Sequence, residues 1–376
     1  MNKFDSIRPY HDNEVNSVLI KLTNNRRFLK MLLETGEYKN IKYANDILGI
    51  RFRKILSIKL RSKIKNIYDI DSYQNLFEGI VSNVIDNSVN QFTVSGINNL
   101  EKDKGYLFIS NHRDITLDSA FLNLHLHKNG YQTSFNAVGN NLMNEKWASD
   151  LMRLNKSFII DRSDKSKREI YKSLNLASEF IFNSIVKRKK SVWIAQKQGR
   201  SKDGKDYTDS SVIKMIHLNA RKKSSIKDYL NNLNIIPISI SYEKDPNDIL
   251  KARELYLTDL NKNYVKEPKE DLISIERGIR GDKGNVHISI GSLVKFEHEC
   301  YEKCSDTISS LIRNSYMLHP TNYAAAILQG KDIRDNNYSE NSLDEAIDFL
   351  KKKMDAIPED MHPYLLNQYS NPVSYR

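Results

Sequence analysis

Between residues 91 and 245 the chain repeats one pattern: a short apolar run, then polar or charged residues, then a helical stretch. The runs are QFTVSGI, YLFIS, TSFNAVG, SFIID, SVWIA and IIPISISYE. Short apolar runs bounded by polar residues suit buried strands, and strands that alternate with helices build a layered α/β core. Such folds place their ligand-binding groups at strand ends. Function should therefore be sought in the residues that each run releases.

On both sides of this zone the pattern changes. Residues 1 to 90 show helical periodicity in VNSVLIKL, RRFLKMLLE and YQNLFEGIVSNVI. Beyond 245, helices are expected at Asp248–Tyr256, Glu297–Tyr316 and Leu343–Met354, with a late strand within Gly284–Val294 that joins the sheet. The tail HPYLLNQYSNPVSYR reads as irregular. The expected organisation is a helical region over 1–90, an α/β domain with a mixed sheet flanked by helices over 91–300, and a helical extension over 301–376. No internal repeat or low-complexity linker interrupts it.

The run FIS delivers Asn111, His112 and Arg113, and Asp114 and Asp118 follow at the start of an amphipathic stretch. A histidine at the exposed end of a buried strand, with a carboxylate in reach, has the parts of a general base and its orienting partner. Asp118 and Asp114 are both candidates for that carboxylate, and spacing does not choose between them. Later strands release Asp161 and Arg162, then Gln196, Lys197, Gln198, Gly199 and Arg200, and the last contains Pro237.

Taken in order, these segments resemble the glycerolipid acyltransferases, including the bacterial lysophosphatidate acyltransferases. That family carries His-x4-Asp, a strand ending in Arg, Glu-Gly-x-Arg, and a hydrophobic strand with Pro. The resemblance covers about residues 95 to 245. Two departures are visible: the family position of the Asp is Leu117 here, with Asp118 one residue later, and Gln198 stands where the family has Glu. Gln keeps the hydrogen-bonding capacity of Glu and loses its charge.

The resemblance implies His112 and Asp118 as the catalytic pair, with a fatty acyl group passing from acyl-CoA or acyl carrier protein to the hydroxyl of a lysophosphatidate-type acceptor. Glycerol 3-phosphate, another lysolipid or an amino-acid lipid are alternative acceptors. Arg162, Gln198, Gly199 and Arg200 would bind substrate, the two guanidinium forks suiting a phosphate. Arg113 and Lys197 are further candidates, and Lys202 could add to the positive field. No cofactor is implied beyond the acyl donor as co-substrate.

Charge bears on partners. The net charge is +11, and residues 51 to 68 carry seven Lys or Arg and no acid. Phe52, Ile55, Leu56, Leu60, Ile64 and Ile67 recur there at helical spacing. Such a basic amphipathic helix can lie on an anionic membrane surface, or it can pack on the core with a solvated basic face. A non-catalytic membrane-surface protein on the same fold is the competing class. Nucleic acid is not expected as a partner, because the basic residues are not interleaved with aromatics in a known binding module. No run of roughly 18 apolar residues suggests a membrane span, and the opening MNKFDSIRPYHDNE lacks the apolar core of a signal peptide. The expectation is a cytoplasmic protein, peripheral on the membrane. Cys300 and Cys304, with His298 nearby, fall short of the four ligands of a structural zinc site, so no metal is expected.

Overall fold

The computed structural model of the chain describes residues 3–35, 47–140, 145–162, 166–261, 264–267, 270–331, 333 and 338–375. Its strands are β1 (Gln91–Ser95), β2 (Leu107–Ser110), β3 (Phe135–Gly139), β4 (Ser157–Ile160), β5 (Val192–Ala195), β6 (Ile235–Tyr242) and β7 (Asn285–Ile290). Contacts gather the chain into two units, neither contiguous in sequence. One comprises Met1–Ile80 and Ser134–Ala177, the other Val81–Thr133 and Ser178–Arg376.

The second unit contains five strands side by side in the order β1, β7, β6, β2, β5. The sheet is mixed: β2 runs parallel to both β5 and β6, β1 runs parallel to β7, and β6 and β7 are antiparallel. Every residue of β6 is buried, as a central strand covered on both faces requires. Pro237, which has no N–H to give, lies opposite Ile109 of β2, and its carbonyl accepts from Gly291 N–H at 2.9 Å. Beyond the last paired residue of β2, Asn111 continues the pairing with its side chain. Its Oδ1 accepts from Ile240 N–H at 2.8 Å and its Nδ2 donates to Ile240 O at 3.0 Å. The strand end that carries His112 is thereby fixed to the centre of the sheet.

Helices Asp248–Asn261, Pro320–Leu328, Glu340–Met354 and His362–Ser370 share a second core around Ala252, Ala324, Ala325, Leu350 and Leu365. The tail thus differs from the irregular segment expected: His362–Ser370 is an α-helix with Pro363 in its first turn, where a missing N–H costs nothing. Its buried apolar residues are Leu365, Leu366 and Tyr369, a stripe of one helical turn. Helix Glu270–Arg280 was also not foreseen, and it buries only Ser274 and Gly278. A helix that hides small residues gives no apolar periodicity to read.

In the first unit β3 and β4 pair in parallel. Helices Asp12–Asn24, Arg26–Thr35, Ile47–Ile64 and Lys146–Leu154 enclose a core that includes Val15, Leu19, Leu22, Ile64, Trp147 and Leu154. The basic helix divides its apolar residues between two faces. Leu56 and Ile64 are buried, and Phe52 and Leu60 pack beside Leu29 and Leu32. Ile50, Ile55 and Ile58 point outward, about 60% exposed, among Arg51, Lys54 and Lys59. Among the described residues, no helix is long and apolar enough to cross a membrane.

Candidate active site

The loop after β2 turns directly into helix Leu117–Lys128, so Asp118 sits in that helix's first turn. From there its carboxylate faces back toward the strand end. Oδ2 accepts from the backbone N–H groups of Arg113 at 2.6 Å and Asp114 at 3.0 Å, and it lies 2.8 Å from His112 Nδ1. Oδ1 accepts from the Tyr242 hydroxyl at 2.8 Å. The Asp118 side chain is 1% exposed and that of His112 16%. Four donors therefore hold one buried acceptor, and the histidine is the most exposed of the residues that supply them. Because a carboxylate only accepts, Nδ1 carries a proton, and in the neutral ring the lone pair is then on Nε2. Nε2 has no hydrogen-bond partner among the described residues. Trp193 of β5 packs edge-on to the imidazole, with ring centroids 5.5 Å apart.

Asp114 is not the partner of His112. Its Oδ1 accepts from the N–H groups of Thr116 and Leu117, both at 2.9 Å, closing the turn that starts the helix. Gly278 lies so close that a Cβ there would come within 2.2 Å of Asp114 Oδ2. Burial and then the neighbouring Asp118 raise the Asp114 pKa above the usual carboxylate value. The extra residue between His112 and its carboxylate is taken up by this turn.

The second chain segment at the site is the turn after β5. Gln196 N–H donates to Ser110 O and Ser201 N–H to His112 O, each at 2.7 Å, so the turn is stitched to the histidine loop at two points. Gly199, at φ +76°, adopts the left-handed conformation that reverses the chain. No atom lies within 4 Å of where its Cβ would stand, so the turn rather than a close approach requires glycine. Gln198 and Gly199 are exposed. Arg200 points inward: Nη2 donates to Ser274 Oγ at 3.3 Å, while the buried Nη1 has no hydrogen-bond partner among the described residues.

Other expected site residues are committed elsewhere. Arg113 is buried, donates through Nη2 to Asp206 Oδ2 at 2.5 Å, and lies 5.1 Å from the Tyr316 ring centre. Lys197 donates to Lys205 O at 3.0 Å and covers the Tyr207 ring, and burial lowers its pKa. Lys202 is paired with Glu254 at 2.6 Å. These two lysines brace the turn on itself and on helix Asp248–Asn261. Arg162 belongs to the first unit, half-buried at the end of β4, with its N–H 3.5 Å from Asn140 Oδ1.

Sequence reading missed Tyr242, Lys251 and Asp206. Tyr242 ends β6, and its pKa is raised well above that of a free phenol by burial and by the Asp118 charge. Lys251, fully buried, donates to Arg113 O at 2.7 Å and pairs with Asp245, and burial lowers its pKa. All three act across long sequence separations and leave no local signature. At Cys304, the thiol donates to the His298 carbonyl at 3.5 Å. Among the described residues no group of three or more His, Cys, Asp or Glu is placed to hold a metal ion.

The site thus joins an oriented histidine at a strand end to a glycine-containing basic turn. Residues 91–241 match the family model described as Acyltransferase. The matched stretch holds the ordered motifs from His112 to Pro237. Among solved structures, the chain is similar to the 1-acyl-sn-glycerophosphate (LPA) acyltransferase PlsC from Thermotoga maritima. That similarity has 16% identity and a TM-score of 0.39, and covers 80% of this chain and 93% of that one. No curated protein matches the sequence.

Proposed function

We propose that the protein transfers a fatty acyl group from acyl-CoA or acyl carrier protein to the hydroxyl of a lysophosphatidate-type acceptor in phospholipid synthesis. The observation that carries this reading is the His112–Asp118 pair: an imidazole held through Nδ1 by a buried carboxylate, with Nε2 left to receive a proton. His112 Nε2 takes the proton of the acceptor hydroxyl as its oxygen attacks the thioester carbonyl carbon. The C–O bond forms, the C–S bond breaks, and the leaving thiolate takes the proton back from the imidazolium. Asp118 stabilises the transient imidazolium and keeps the ring in the productive tautomer. No acyl-enzyme is needed.

Arg200 is assigned to the acceptor phosphate. The support is its buried Nη1 group, which has no hydrogen-bond partner among the described residues. Gln198, exposed on the same turn, replaces the family's charged residue with a neutral one, which reduces repulsion toward an anionic acceptor. The membrane is assigned as the surface from which the acceptor is drawn. Ile50, Ile55 and Ile58, outward among basic residues, are suited to an anionic lipid interface.

Release of free thiol from a long-chain acyl-CoA, or from the acyl carrier protein thioester, tests the assignment. Lysophosphatidate is expected to support faster turnover than glycerol 3-phosphate or an uncharged lysolipid. Faster turnover with glycerol 3-phosphate would reassign the acceptor, and thiol release that needs no acceptor would contradict acyl transfer.

A further inference from the structure

The turn that follows β5 continues through the stretch Lys202–Lys205, which reads in sequence as a plain polar loop. In the structure it is held from one side by residues 309 to 375, all beyond the family-matched segment. Asn371 Nδ2 donates to Asp203 O at 2.7 Å. Gly204, at φ +72°, lies so close to helix His362–Ser370 that a Cβ would stand 2.4 Å from Gln368 O. The Tyr375 hydroxyl accepts from Asp206 N–H at 2.7 Å and donates to Gly204 O. Arg313 Nε donates to Asp206 O at 2.5 Å, and Thr208 N–H donates to Ser309 Oγ at 2.8 Å.

Asp206 is where these contacts converge. While Tyr375 and Arg313 hold its backbone, its fully buried carboxylate holds the histidine loop. Oδ2 accepts from Asn111 Nδ2 at 3.0 Å and from Arg113 Nη2 at 2.5 Å, the residues on either side of His112. Tyr316 extends the same support, lying under the Arg113 guanidinium and edge-on to Tyr375. From these contacts we infer that Tyr375 is a positioning residue for His112, acting through Asp206, and that the helical extension is thereby part of the active-site scaffold. The inference rests on the acyltransferase reading only in its kinetic consequence.

Tyr375→Phe in the full chain tests this, since it removes both hydroxyl bonds and keeps the ring against Tyr316. Amide hydrogen exchange across residues 107–118 should accelerate about fivefold, as loss of one net hydrogen bond of local stability implies, while exchange in helix Asp12–Asn24 stays unchanged. Asn371→Ala removes a contact to the same turn that does not touch Asp206, and it should leave exchange in 107–118 as in the wild type. In thiol-release kinetics, Tyr375→Phe should lower kcat about fivefold with the acceptor KM within about twofold, because orientation and not acceptor binding is lost. Unchanged exchange in Tyr375→Phe, or equal acceleration in Asn371→Ala, would overturn the inference. Absence of turnover in the wild type would instead count against the acyltransferase reading and leave the exchange result to decide this one.

Discussion

Asp118→Asn separates the charge of the orienting residue from its shape. The wild-type carboxylate receives three donors on Oδ2 and the Tyr242 hydroxyl on Oδ1. An asparagine can turn its carbonyl toward the three donors and its NH2 toward the Tyr242 oxygen, which can rotate its own proton away. The loop and helix start should therefore keep their geometry, with thermal unfolding shifted by only a few degrees. What is lost is the attraction between carboxylate and imidazolium. With Nδ1 and Oδ2 2.8 Å apart the charge centres lie about 4 Å apart, and at an effective dielectric of about 20 the interaction is worth about 4 kcal/mol. At roughly 1.4 kcal/mol per tenfold, kcat should fall by about a thousandfold. Thiol release under saturating donor and acceptor measures kcat, and circular dichroism melting of the same preparation measures the fold. A loss of less than about tenfold in a folded variant would refute the role given to this charge.

Two further perturbations address stability and membrane contact. His319 is buried against Ser241 Oγ at 3.1 Å, and burial, with the nearby His287, lowers its pKa to about 4. The unfolded chain then binds a proton that the native state does not between about pH 6.5 and 4, so stability falls as pH drops through that window, by about 3 kcal/mol in all. Urea unfolding should show this slope in the wild type and lack it in His319→Gln; equal slopes would contradict the assignment. Charge reversal at Lys59, Arg61 and Lys63, all exposed on the basic helix, should weaken binding to phosphatidylglycerol-containing vesicles by at least about a hundredfold at low salt, from roughly 1 kcal/mol per charge. Unchanged flotation with vesicles would remove the membrane from this helix.

Much of the local structure around His112 could be read from the sequence because its information is local. Strand β2, the loop and the helix start occupy one stretch of chain, and His112 and its two possible carboxylates lie within seven residues. Choosing between those carboxylates required the backbone, since only the turn closed by Asp114 shows which side chain is already occupied. Tyr242 and Asp118 are 124 residues apart, and no spacing rule connects them. At Lys197 and Lys202 the sequence shows cations near a glycine turn, but not the loop carbonyl and the facing glutamate that bind them. On the basic helix the periodicity was visible, but not the division between Leu56 and Ile64, which are buried, and Ile50, Ile55 and Ile58, which are exposed. Apolar residues all round a helix leave its orientation to its neighbours. The tail failed as a sequence reading because one turn of Leu365, Leu366 and Tyr369 is too short to register as a period.

Thioester consumption by purified wild-type and His112→Ala proteins tests whether His112 is the base that activates the acceptor. The donor is a long-chain acyl-CoA and the acceptor lysophosphatidate. Acceptor-dependent turnover is expected in the wild type and its loss in His112→Ala, with vesicle binding retained. Turnover in His112→Ala equal to that of the wild type would contradict that role.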